Sequence, residues 1–406
     1  MGTENINKFD FENFDYEKCY KDVKDKIQKP NILLCGATGV GKSSMVNDIL
    51  ALTEYNKAEV GNEGKPKTKG IRKYTTPEDN IVIYDSEGYE IENTQNFQNF
   101  ENDVIGFIDK QKKENSTNMN EWIHIVWYCV SAANKRFFEY DERMIKKIKE
   151  KNIPILVIIS KVDLALEEEL SDLIKTIKQR MEYLPIYTYS TEIGEHNPNY
   201  KKYVQKDEII NWTIENLDDS LKGGFISAVK NAIGLKRNHV LAKVVPGYTA
   251  SAAATVLTTS FVPVPFSDSV PLMAIQTTMT MHIMNIYNIH SNVGDAVKGL
   301  VGTSLVSYVG KTIAAKLIGL IPNVGKGMEI VVNTSVAASI TATIGCAIAL
   351  ICERYLILCV DSNGKENTSF EDFFTSDNLK DAIHYVKNHK DEFDIDKIIK
   401  NSKKTR

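Results

Sequence analysis

The chain has 406 residues, a formal net charge of -4, 25% charged and 43% hydrophobic residues, ordinary values for a globular protein of two or three domains. Lys and Arg are interspersed with Asp and Glu and form no long basic run, so the electrostatic footprint of a nucleic-acid binder is missing and direct nucleic-acid binding is not expected. Six cysteines without a Cys-x-x-Cys pair argue against zinc or a disulfide framework and for a reducing, cytoplasmic setting, and the charged segment Glu4, Lys8, Asp10, Glu12 is expected not to be a secretory signal.

In chain order, Tyr16, Tyr20, Val23 and Ile27 recur at helical spacing and predict an amphipathic helix within residues 1–29. The apolar run Ile32 to Cys35 then predicts a strand, and Gly36-Ala37-Thr38-Gly39-Val40-Gly41-Lys42-Ser43 follows it directly, with Ser44 opening a helix. Strand, glycine loop and helix are the context a phosphate-binding loop requires. Gly36 and Gly41 let backbone N-H groups converge on phosphates, Lys42 can reach the β and γ oxygens, and the Ser43 hydroxyl can ligand Mg2+. Thr68, in the polar loop Pro66 to Gly70, is suited to closing over Mg2+ and the γ-phosphate. Ile81 to Tyr84 reads as a strand ending in Asp85-Ser86-Glu87-Gly88, where Asp85 can hold Mg2+ through water and the Gly88 N-H can sense a γ-phosphate. Ser43, Thr68 and Asp85 are thus the candidate metal ligands, and Lys42, Thr68 and Gly88 the candidates to act on the γ-phosphate in hydrolysis.

Phe97, Phe100, Val104, Phe107 and Ile108 mark a further helix, Trp122 to Val130 a strand and Phe137 to Ile148 a helix. The β-branched run Ile155 to Ile159 delivers Ser160-Lys161-Val162-Asp163, which puts the Asp163 carboxylate where it can accept the N1-H and exocyclic amine of guanine. Adenine offers no such donor pair, so GTP is favoured. Ile186 to Tyr189 reads as a strand, and Ile209, Ile210, Trp212 and Leu217 as a last amphipathic helix. This alternation predicts a doubly wound, mostly parallel α/β sheet over residues 30–217.

In this order and at these intervals, Gly36 to Ser43, Thr68, Asp85 to Gly88 and Ser160 to Asp163 resemble a translation-factor-class GTPase of the Era/TrmE-like branch, over about residues 30–217. The resemblance implies GTP and GDP as ligands, Mg2+ as cofactor, GTP hydrolysis as activity, and Ser190 and Thr191 as the loop whose backbone N-H groups contact the guanine O6. Three residues depart from the pattern. Ser160 replaces the usual Asn or Thr and offers fewer hydrogen bonds between the base and phosphate loops. Tyr89 replaces the glutamine that orients water in Ras-like enzymes, which predicts slow turnover unless a partner or a second copy of the chain supplies the missing group. Gly39 stands where potassium-activated relatives carry Asn.

Residues 218–360 differ in kind. From Val240 to Val360 charged residues are sparse, and Val244 to Ser267 and Ile330 to Cys352 contain none, each exceeding the ~20 residues needed to cross a bilayer. Small residues recur every fourth position, Gly247, Ser251, Thr255 and Thr259 in one, Ser335, Ser339, Thr343 and Ala347 in the other, a stripe that permits close helix contact. Pro263 to Asp268 and Ile321 to Gly327 break the apolar stretches, so the segment reads as all-α helical hairpins. Pro263 to Gln276 and Ile321 to Gly325 resemble a YcjF-type domain of unknown function, often fused behind Era-like GTPases and commonly membrane-associated; the likeness covers about residues 225–355. A membrane lipid or membrane protein is therefore an expected partner. Lys311 and Lys316 count against spanning by the third helix. His282 and His290 beside Met279, Met281 and Met284 suit an apolar helix face better than a soft-metal site. Residues 361–406 are polar, with Leu379, Ile383, Val386, Phe393, Ile395, Ile398 and Ile399 at the spacing of short docking helices.

Three readings follow from these residues. The first is a GTPase switch coupled to the helical segment, the second a GTP-dependent scaffold without significant turnover, the third a ribosome-associated assembly GTPase.

Overall fold

The computed structural model describes residues 15–50, 70–76, 80–86, 88, 94–192, 199–229, 231–258, 270–289, 328–361 and 369–402. The chain divides into two compact units, residues 27–230, and residues 1–26 together with 231–406. Helix α1 (Tyr16–Lys24) thus belongs to the second unit.

The first unit alternates strands and helices: β1 (Asn31–Cys35), α2 (Lys42–Ile49), β2 (Ile71–Thr75), β3 (Val82–Ser86), α3 (Thr94–Glu114), β4 (Ile125–Ser131), α4 (Glu139–Lys149), β5 (Ile155–Ser160), α5 (Glu167–Arg180), β6 (Ile186–Thr188), α6 (Lys206–Asn216) and α7 (Asp219–Ala228). Its sheet runs β2-β3-β1-β4-β5-β6. Every pairing is parallel except that of β2 with β3. β1, β4 and β5 are buried along their whole length, which is why their sequences are continuous apolar runs instead of alternating ones. The sheet is the expected mostly parallel one, and β1 and β5 end at the candidate loops that begin at Gly36 and Lys161.

Two elements escaped the sequence reading. β2, Ile-Arg-Lys-Tyr-Thr, is half-exposed on the edge of the sheet, so its polar residues gave no apolar signal. α5 buries Leu170, Leu173 and Ile177 and exposes the rest of a highly charged surface. The chain leaves this unit after α7, at Lys230, instead of at 217. Asn80 Nδ2 donates to Ser227 Oγ at 2.7 Å, Leu50 pairs with Val229 in an isolated bridge, and Trp127 meets Phe225 edge-on at 6.4 Å between centroids.

The second unit is helical among the described residues. Besides α1 it contains α8 (Ile233–His239), which runs through a π-helical turn (Val240–Val244) into α9 (Val245–Thr258). Pro246 has no N-H to donate, and widening the preceding turn keeps the helix continuous past it. There follow α10 (Val270–Tyr287), α11 (Met328–Asp361), α12 (Phe370–Phe373), α13 (Ser376–Asn388) and α14 (Ile395–Ser402). Ala252, Leu272 and Ala337 form a core cluster joined by Ile275, and Gln276 Nε2 donates to Thr341 Oγ1 at 3.4 Å. Within α11, Ala337–Cys359 is long and apolar enough to cross a membrane by length and composition, and most of it is buried inside the protein.

Among the described residues the small-residue stripe of α9 turns outward, with Gly247 and Ser251 exposed and Thr259 outside those residues. Ser251 Oγ donates back to Gly247 O at 3.1 Å and Thr255 Oγ1 to Ser251 O at 2.9 Å, on the exposed side, while Thr249, Ala252 and Ala253 are buried. His282 lies edge-on to Tyr248 at 5.9 Å, and burial lowers its pKa to about 4, the behaviour of a packed neutral ring. The tail docks within this unit through buried Leu379, Ile383, Val386, Phe393, Ile395 and Ile398. Arg237 donates to Glu392 at 2.7 Å and lies over the Phe393 ring at 4.9 Å. The expected hairpin tips at 263–268 and 321–327, together with His290, Lys311 and Lys316, lie outside the described residues.

Candidate nucleotide site

The loop between β1 and α2 is shaped by backbone that only glycine tolerates. Gly36 sits at φ 133°, and a Cβ there would stand 2.2 Å from the Cys129 carbonyl oxygen of β4. Gly41 caps α2 at φ 89°, so the N-H groups of the first turn face outward from the positive end of the helix dipole. Lys42 is buried, and its Nζ donates to the carbonyls of Gly36 at 3.0 Å and Ala37 at 3.1 Å. The ammonium is thereby held over the loop. Thr38, Gly39 and Val40 complete the loop, and Ser44 follows Ser43 in the first turn of α2.

Ser43 Oγ donates to Asp85 Oδ2 at 3.0 Å, joining two of the three candidate metal ligands; Thr68 lies outside the described residues. Asp85 is 1% exposed, and its Oδ1 has no hydrogen-bond partner among the described residues. Burial raises its pKa, partly offset by Lys42 and by the Ser43 hydrogen bond. A hydroxyl beside a buried carboxylate with a spare oxygen is a donor set that fits Mg2+. Gly88 lies against the phosphate loop, for a Cβ on it would fall 2.4 Å from Thr38 N. Cys35 and Cys129 flank the loop with burial pushing both thiols up to about 12, which leaves them unreactive.

On the base side, the Ser160 hydroxyl donates to the Val40 carbonyl, with the Val130 carbonyl at 3.2 Å as a second acceptor. Serine therefore ties the end of β5 to the candidate phosphate loop, although its single proton serves one acceptor at a time. Lys161 adopts a left-handed conformation at φ 56°, and its Cε lies 3.9 Å from where a Cβ on Gly41 would be. Asp163 is 2% exposed and accepts from the Ser190 hydroxyl on Oδ1. Ser190 was expected to act through its backbone, so its side chain has a further part in holding the carboxylate. Thr191 is exposed beside it.

A clamp that sequence reading missed fixes this loop. Tyr189, the residue before Ser190, donates its phenol hydrogen to Asp48 Oδ2 on α2. Lys206 Nζ, at the start of α6, donates to the Asp48 carbonyl and Oδ2, both at 3.0 Å. Burial and the Asp48 carboxylate raise the Tyr189 pKa, so the phenol stays a donor. Asp48 and Tyr189 are far apart in sequence, and no spacing rule connects them.

A phosphate loop at the carboxyl end of β1, a carboxylate and glycine after β3, and an enclosed aspartate after β5 coincide with a match of residues 26–216 to the family model described as Septin. Residues 26–216 are thus similar to that family. The match spans a little under half of the chain. Among solved structures, the chain is similar to a "probable GTP-binding protein engB" at 16% identity, over 46% of this chain and 97% of that one, with a TM-score of 0.33. It is similar to Era of Aquifex aeolicus bound to GDP.AlF4- at 18% identity over 55% and 68%, with a TM-score of 0.32. It is also similar to the elongation factor SelB of Methanococcus maripaludis with GppNHp, at 18% over 48% and only 35% of that chain, with a TM-score of 0.31.

Proposed function

We propose that the chain is a guanine-nucleotide switch that hydrolyses GTP slowly and thereby governs how its helical unit engages a membrane surface or a protein partner. The observation that carries the guanine reading is Asp163, an almost fully enclosed carboxylate at the end of β5 whose Oδ1 is pinned by Ser190, leaving acceptor capacity for the paired N-H donors of guanine. Lys42 and the α2 N-terminus would take the phosphates, and Ser43 and Asp85 would hold Mg2+, which when bound neutralises charge on the β and γ oxygens. Slow turnover rests on Tyr89 in the position of the water-orienting glutamine. The Era/TrmE-like placement and the YcjF-type character of the helical unit are part of this proposal, as is membrane association, which the apolar stretches 244–267 and 330–352 support.

Asp163→Asn exchanges an acceptor for a donor opposite the base. We expect GTP affinity to fall about 100-fold, the loss of two hydrogen bonds to a charged group, and xanthosine triphosphate to become the preferred ligand in competition titrations. Unchanged preference for GTP would refute the base assignment. Tyr89 also favours a second reading, a scaffold in which GTP is bound and not turned over. Single-turnover hydrolysis at rising protein concentration separates the two: acceleration supports a self-activating switch, and no phosphate release at any concentration leaves the scaffold.

A further inference from the structure

We infer that Thr38 supplies, from within the phosphate loop itself, the hydroxyl that orients the attacking water against the γ-phosphate. The inference rests on the GTP reading above and names a residue to which that reading gave no catalytic part. Thr38 Oγ1 is closed off from solvent and has no hydrogen-bond partner among the described residues. Burying a hydroxyl without a partner is unfavourable, and such an atom in a ligand site points to a bond made only when the ligand is present. Its surroundings indicate which bond. The backbone of Gly88 stands beside it, since a Cβ on Gly88 would fall 2.7 Å from Thr38 Oγ1 and 2.4 Å from Thr38 N. The neighbouring Gly36 and Ala37 carbonyls hold the Lys42 ammonium. Thr38 therefore lies between Lys42, proposed to take the β and γ oxygens, and Gly88, proposed to sense the γ-phosphate.

A hydroxyl suits this place because it donates one hydrogen and accepts others. It can donate to a γ-phosphate oxygen while accepting a hydrogen from the water. In the step it assists, the water oxygen bonds to the γ phosphorus and the bond from that phosphorus to the β–γ bridging oxygen breaks. The electron pair stays on GDP, and the water's proton leaves on the released phosphate or to solvent. Thr38 begins and ends as a neutral hydroxyl, so no further reactant is needed. An orienting hydroxyl without a general base fits slow hydrolysis in a chain that carries Tyr89 instead of glutamine.

The test compares the full-length wild-type chain with Thr38→Val, which keeps the shape and removes the hydroxyl, and Thr38→Ser, which restores it. GDP affinity, GTP affinity and single-turnover hydrolysis are measured for each. We expect Thr38→Val to bind GDP within about twofold of wild type and to hydrolyse bound GTP about 100-fold more slowly, the usual cost of removing one group that acts on the transition state. Thr38→Ser should recover most of that rate. Hydrolysis by Thr38→Val at the wild-type rate, or loss of GDP binding in step with hydrolysis in both variants, would overturn the assignment to Thr38 alone. Failure of the wild-type chain to bind GTP would overturn the nucleotide reading itself.

Discussion

Asp85 shows how much of the site is a matter of single atoms. Burial raises its pKa, while Lys42 and Ser43 pull in the other direction. Mg2+ needs the carboxylate anion, so acidification should weaken Mg2+-dependent GTP binding at a higher pH than an exposed aspartate would require, and Asp85→Asn should flatten that dependence. The effect on folding has the related sign. Between its unfolded and folded pKa values the folded state holds the extra proton, so Asp85 costs stability as pH rises through that window, and the cost is constant above it. Titrating GTP affinity against pH with and without Mg2+ checks the prediction; identical profiles for wild type and Asp85→Asn would contradict it. At this scale the sequence was legible where backbone geometry restricts the residue type. Gly36 and Gly41 both stand at positive φ in the loop between β1 and α2, a conformation that glycine adopts without strain. The Ser190 side chain on Asp163, and the Asp48 clamp on Tyr189, depend on contacts between distant segments, and one sequence carries no record of such proximity.

At the scale of elements, buried parallel strands announced themselves as apolar runs, whereas β2, half-exposed at an edge, and α5, charged on most of its surface, did not. α7 was expected with the helical segment because Gly223, Gly224 and its apolar neighbours give no period that distinguishes one partner from another. Its place became evident only through Asn80 and Trp127. Helix α8 contains a residue that sequence reading passed over: Lys236 is 3% exposed, its Nζ donates to the Ile286 carbonyl at 3.0 Å, and burial lowers its pKa from 10.5 to about 7. Between these values the unfolded chain binds a proton that the folded chain does not, so this residue makes stability rise with pH across the window. We predict that Lys236→Met, which keeps the length of the side chain without the amine, stabilises the protein at pH 7 and removes that slope. The difference between the two denaturation curves, collected from pH 7 to 10, isolates Lys236 from cysteines and tyrosines that titrate in the same range. A difference that does not change with pH would refute it.

For the whole molecule, the sheet of the first unit and the helices of the second follow from two kinds of apolar patterning in one chain, alternating elements before residue 230 and long uncharged stretches after it. What patterning could not supply is the chain's division in space: residues 1–26 belong with the second unit, although they precede the first strand. A switch requires the nucleotide to have different contacts in its two states, and Thr68 and Gly88 are the residues placed by sequence to sense the γ-phosphate. Flotation with vesicles of phosphatidylcholine and phosphatidylglycerol should therefore differ between the GTP-analogue and GDP forms, and Thr68→Ala should erase the difference while largely sparing GDP binding. Equal flotation in both forms would make the two units independent neighbours.

All of this depends on the guanine base proposed as the partner of Asp163. Calorimetric titration of the full chain with GTP and with ATP, each with Mg2+, measures that selection directly. Two hydrogen bonds to an enclosed carboxylate predict GTP binding tighter by about 100-fold or more. Equal affinity for the two nucleotides would contradict the account.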